Sequence, residues 1–69
     1  MSSNFILSGN LKNIRKKRGI SQDRLCKLAN VTHTTLAKIE SGVNENPTIR
    51  TLQKIAKALN VKIDDLLKS

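Results

Sequence analysis

Residues 21–42, SQDRLCKLANVTHTTLAKIESG, hold two short helical patterns with almost nothing between them. In the first, predicted over 22–29, Leu25, Leu28 and Ala29 recur at helical spacing behind Ser21, a residue type that caps helix starts. In the second, predicted over 33–41, Leu36 and Ile39 follow Thr32 as cap, and Gly42 stops the run. Only residues 30–32 remain to turn the chain. Asn tolerates the left-handed conformation better than most residues after Gly, so Asn30 is the expected turn residue. Helices joined this tightly cross at about 90–120°. The crossing needs a small side chain where one backbone passes over the other, and apolar residues to lock the pair to a core. Cys26 fills the first role; Leu25, Ala29, Val31, Leu36 and Ile39 fill the second.

The rest of the chain supplies that core. Leu7, Leu11 and Ile14 predict a helix over about 8–18, capped by Ser8 and stopped at Gly19, with residues 1–7 as a lead-in whose apolar Phe5 and Ile6 can add a turn. After the loop VNENP, Thr48 caps a helix over 49–59 with Ile49, Leu52, Ile55, Ala56 and Leu59 on one face. Val61 and Ile63 lead into a last helix over 63–68. Asp64 and Asp65 suit its first turn, but Lys62 is a poor cap, so fraying is expected there. No strand pattern or internal linker interrupts this. The expectation is an all-α, compact five-helix fold, one domain over residues 1–69, with its helical core at 8–68.

A chain of this length buries only about 60% of its unfolded surface. With Phe5 the lone aromatic among 69 residues, aliphatic side chains must make the core. Thirteen Lys and Arg face five acids, a net charge of +8, which favours a polyanionic partner: nucleic acid first, an acidic membrane second. No apolar stretch approaches the ~20 residues that span a bilayer, so the membrane reading falls back. The start MSSNFILSGN has a short apolar run without a basic leader, unlike a secretory signal. The single Cys26 cannot form an internal disulfide, which suits a reducing cytoplasmic setting. No nucleophile–base pair, phosphate loop or Cys/His metal set stands out, so no catalysis, cofactor or metal is expected.

Four stretches, LKNIRKKRGISQ, LANVTHTTLAKIESG, NPTIRTLQKIAKALNV and DDLL, carry a resemblance over Leu11 to Leu67. Together they resemble the Cro and lambda-repressor-like helix-turn-helix family. The resemblance implies a helix-turn-helix at helices 2 and 3 and a sequence-specific DNA-binding transcriptional regulator. Three positions depart from the family's habits. Cys26 stands where Ala is usual, Asn30 where Gly is usual, and VNEN carries Glu45 with no Lys or Arg in a loop that is often basic.

In such proteins the second helix of the pair lies in the major groove, with its N-terminal residues at the base edges. The face opposite Leu36 and Ile39 carries His33, Thr34, Ala37, Lys38 and Ser41. An exposed polar face is ordinarily only solvated, but here the chemistry fits base reading. His33 can donate or accept at a purine edge, Thr34 and Ala37 can meet a thymine methyl, and Lys38 can reach guanine O6/N7 or a phosphate. The resemblance places base contacts at His33, Thr34 and Lys38, with Thr32 and Ala37 nearby. It also assigns Gln22 to a phosphate, beside the free N–H groups of its helix start. Asn44, Asn46 and Thr48 are candidates for phosphates across the groove. Arg15 and Glu40 match a structural ion pair of the family. The other charges between Lys12 and Arg18 read as a solvated face that steers association. Cys26 reads as a small core residue, not a redox switch.

One domain touches few phosphates, and each contact changes log K by only ~0.9 per log unit of salt. Useful affinity therefore points to a homodimer on half-sites about 34 Å apart in double-stranded DNA. The resemblance puts the dimer contact near the last helix, at Val61, Ile63, Leu66 and Leu67, some of which the core must claim. The alternative is an antitoxin or adaptor that binds a protein partner, a toxin or effector, with DNA binding only for autoregulation.

Overall fold

The computed structural model describes residues 4–44 and 46–68, with the side chains of Ile6 onward; Glu45, the acid noted in the VNEN loop, lies outside them. Five helices follow in order: α1 (Asn4–Lys17), α2 (Gln22–Ala29), α3 (His33–Ser41), α4 (Ile49–Leu59) and α5 (Ile63–Leu67). Leu11, Leu25, Leu36, Ile39, Ile55, Leu59 and Leu66 are fully buried, so every helix gives the core at least one large aliphatic. α1 packs on α3 and α5, α2 on α3 and α4, and α4 on α5. The helix-turn-helix pair α2–α3 is thus held from both sides.

Three helices end by one device. Gly19, Asn30 and Asn60 adopt φ of 70°, 56° and 58°. After each, a β-branched residue turns inward: Ile20, Val31 and Val61 are packed on the core. Their amides reach back to Arg15, Cys26 and Ala56 carbonyls at 3.3, 3.1 and 2.9 Å. This left-handed closure satisfies carbonyls that a helix end would otherwise leave open, while the following apolar side chain fixes the exit direction. Asn30 therefore makes the bend expected of it, and Asn60 repeats it.

Several expectations need correction. α1 begins at Asn4, not Ser8, because burying Leu7 one turn before Leu11 carries the helix upstream. Ser8 is inside the helix and buried, and its hydroxyl donates to the Glu40 carbonyl on α3. Leu28 is 49% exposed. The buried stripe of α2 runs through Leu25, Cys26 and Ala29, and Leu28 lies about 100° round from Ala29. Ile49 is 63% exposed, since the buried stripe of α4 starts one turn later at Leu52.

α5 ends at Leu67, one residue short of the expected bound, and both its ends are held. The Asp65 carboxylate accepts the Lys62 N–H at 3.0 Å, doing from inside the helix what the Lys62 side chain cannot. At the other end, Asn10 Nδ2 on α1 donates to the Leu66 carbonyl at 2.9 Å and also to that of Lys68. Leu66 itself is fully buried, which removes it from the dimer candidates: a side chain consumed by the core has no surface to offer.

Candidate nucleic-acid interface

α3 is fixed on its inner side by more than apolar packing. Thr32 starts it, its hydroxyl accepting the Thr35 N–H at 3.1 Å and donating to Thr35 Oγ1 at 2.7 Å. Leu36 and Ile39 enter the core. Glu40, only 3% exposed, is met by Arg15 along its edge, Nε to Oε2 at 2.7 Å and Nη2 to Oε1 at 3.0 Å. Gln22 Nε2 donates to the same Oε1 at 2.9 Å, and Arg15 Nη1 to the Ile20 carbonyl at 2.9 Å. The Glu40 carboxylate holds the Arg15 guanidinium above its ordinary pKa, with burial opposing. Three helices meet at this one acid. Charge-assisted, bidentate bonds of this kind specify orientation as well as adding energy.

With that side locked, the opposite side is displayed at a set angle. His33, Thr34, Lys38 and Ser41 are exposed and Ala37 is half-buried. Pairs four apart, His33 with Ala37 and Thr34 with Lys38, share a surface strip. The structure therefore brings together the residues expected to read bases. Thr32 differs from them: it is exposed, but its hydroxyl is engaged in capping, leaving one lone pair for a ligand.

The flanking positions divide similarly. Gln22 is half-buried with one amide hydrogen on Glu40, which leaves the second for another acceptor. Beside it the first-turn N–H groups of Gln22 and Asp23 precede the first intrahelical bond, which Leu25 makes to the Ser21 carbonyl at 3.0 Å. Asn44 Oδ1 accepts the Asn46 N–H at 3.1 Å and shapes the loop; Asn46 is exposed. Thr48 caps α4 through the Thr51 N–H at 3.1 Å, the same Thr-x-x-Thr arrangement as Thr32 and Thr35. Of the dimer candidates, Leu67 is 49% exposed, while Val61 and Ile63 are partly buried against the core.

Several contacts had little signal in the sequence. Arg18 Nε donates to the Leu59 carbonyl at 3.1 Å, closing the end of α4 from the end of α1. Ser8 and Asn10 reach α3 and α5 from α1 in the same way, and all three are long-range side-chain bonds that no local spacing announces. Cys26 is buried where the helices cross, and burial, followed by the nearby Asp23 and Glu40 charges, pushes its thiol up in pKa, so it is not a thiolate. Among the described residues there is no His/Cys/Asp/Glu group able to hold a metal, and no helix long and apolar enough to cross a membrane.

The chain is similar to known proteins in sequence and in fold. The model of the helix-turn-helix family matches residues 11–66. The HTH-type transcriptional regulator SinR of Bacillus subtilis is 35% identical over 57 residues, 83% of this chain and 51% of SinR. An uncharacterized HTH-type transcriptional regulator of Archaeoglobus fulgidus is 36% identical over 56 residues, 81% of this chain and 79% of its own. The chain spans about half the length of SinR. In fold it is similar to the restriction-modification controller protein C.AhdI of Aeromonas hydrophila, with a TM-score of 0.83 at 24% identity over 88% of this chain and 91% of that one. Tight bend, locked second helix and matched residues together place the chain in the Cro and lambda-repressor-like helix-turn-helix family.

Proposed function

We propose that the chain is a sequence-specific DNA-binding transcriptional regulator whose α3 lies in the major groove. The observation that carries this is the pairing of a locked and a free side on one helix. Glu40, Leu36 and Ile39 fix α3, while His33, Thr34 and Lys38 are exposed and carry groups able to hydrogen-bond a base edge. Its relatives, HTH-type transcriptional regulators, support the same reading. Gln22 and Asn46 are the flanking residues best placed to hold phosphates.

The regulator acts as a homodimer on a palindromic operator. Its extents of 31 × 21 × 20 Å suit two copies meeting while their reading helices enter grooves one turn, about 34 Å, apart. Leu67, with the edges of Val61 and Ile63, is the apolar material for that contact. So small a patch makes a weak dimer that forms mainly on DNA. The lone buried cysteine is compatible with a reducing cytoplasm, and the regulator needs no cofactor and performs no catalysis.

Selection of bound duplexes from a random pool tests this. The expected result is a palindrome with half-site centres about 10 base pairs apart. A pool that returns no enriched sequence contradicts DNA reading. A single unrepeated site contradicts the dimer alone.

A further inference from the structure

The charge on this molecule is not concentrated where bases are read. The exposed face of α3 carries one cation, Lys38. α4 carries Arg50, Lys54 and Lys57, all exposed, and no acid anywhere along its length. They sit four and three residues apart, on the side of the helix opposite the buried Leu52, Ile55, Ala56 and Leu59. The three side chains thus form a single ridge rising ~10 Å along the axis. Arg18 adds a fourth cation, because its bond to the Leu59 carbonyl sets its guanidinium at the C-terminal end of α4. Among the described residues none of these four forms an ion pair, as holds for every Lys and Arg but Arg15, Lys27 and Lys68. A single-sign field along a helix attracts a polyanion and steers it to the surface.

We propose that the outward ridge of α4, Arg50, Lys54 and Lys57 together with Arg18, is a second DNA surface that takes the phosphate backbone of duplex without reading bases. The inference rests on the DNA-binding function proposed above but uses a different helix. α4 packs chiefly on α2 and α5, and α3 on α1 and α2, so the two helices share only α2 as a main neighbour. Duplex presents about one negative charge per 1.7 Å of axis, so a ~10 Å ridge faces several phosphates at once. An acidic polypeptide fits less well. Protein interfaces are anchored by buried aromatic and apolar residues, and this ridge has Gln53 between its cations and no aromatic. The ridge would hold DNA beside the operator, or a second duplex, while α3 stays engaged.

The test combines Arg50→Gln, Lys54→Gln and Lys57→Gln, exposed positions whose loss leaves the core intact. Affinity is measured across a salt series for the selected operator and for a random-sequence duplex of equal length. The expected result is unchanged base preference, at least tenfold weaker binding to the random duplex, and a salt slope lower by about two to three, at ~0.9 per lost contact. Trimming the operator flanks shows whether the ridge uses the same duplex. Energy transfer between two labelled duplexes on one protein shows whether it uses another. A variant that matches wild type in slope and random-duplex affinity overturns the ridge and leaves the function standing. Wild-type protein that binds no duplex overturns both. Polyglutamate competing as well as duplex at equal charge overturns the assignment to DNA in favour of an acidic protein.

Discussion

Arg15 on α1 meets Glu40 on α3 edge to edge, Nε to Oε2 at 2.7 Å, and the acid's second oxygen also accepts from Gln22 on α2. One carboxylate therefore ties together the first three helices, including both members of the tight pair. It sits on the inner side of the helix whose outer side carries His33, Thr34 and Lys38. The angle at which those side chains face a ligand depends on this acid as much as on Leu36 and Ile39.

Breaking a buried ion pair by removing one partner leaves the other charge uncompensated, at a cost of about 3–5 kcal/mol. Glu40→Gln is expected to destabilise the fold by that order. Asp23→Asn, which breaks the exposed pair with Lys27 at 3.5 Å, is expected to cost no more than ~1 kcal/mol. Thermal unfolding followed by circular dichroism checks the contrast. Equal melting temperatures would show that Glu40 does not hold the helices.

Gly9 lies within α1, and a Cβ there would meet no heavy atom within 4 Å. Gly in a helix interior is destabilising by roughly 0.5–1 kcal/mol relative to Ala. Gly9→Ala is therefore expected to raise Tm by ~2–8 °C for a domain of this size. A lowered Tm would mean that the helix bends or is approached closely at Gly9.

Asp65 has its pKa lowered, first by the Lys62 N–H it accepts and then by the Lys68 ammonium. A depressed folded-state pKa gives stability that is present above the ordinary carboxylate range and lost as pH falls through the lower folded value. The Lys62 amide resonance should therefore titrate at a pH below that of an ordinary aspartate. Asp65→Asn should remove this transition and leave α5 more loosely attached at neutral pH. A midpoint at the ordinary value would refute the capping role.

Much of this architecture is written in local chemistry. Asn30 and Thr32 mark the bend because a left-handed residue and a hydroxyl cap are each needed within three residues, and α2, α3 and α4 have the bounds their spacing predicts. The start of α1 is less legible, since Ser8 is as good a cap as it is a buried donor. Only the position of α3 decides between them. Leu28 and Ile49 share the spacing of core residues, yet a short helix buries only its central stripe. Arg18 and Asn10 look like ordinary surface polars until α4 and α5 bring their last carbonyls within reach. The free face of α3 is legible for the reason that it is free: its residues are polar or small, and none of them is consumed by the core.

The most direct measurement is the base preference of three variants. His33→Ala, Thr34→Ala and Lys38→Ala are each titrated against operators changed one base pair at a time. Discrimination should fall by ~1–3 kcal/mol at particular positions, different for each variant, with the rest of the site read as before. Three variants that keep the full wild-type preference would place the reading surface somewhere other than α3.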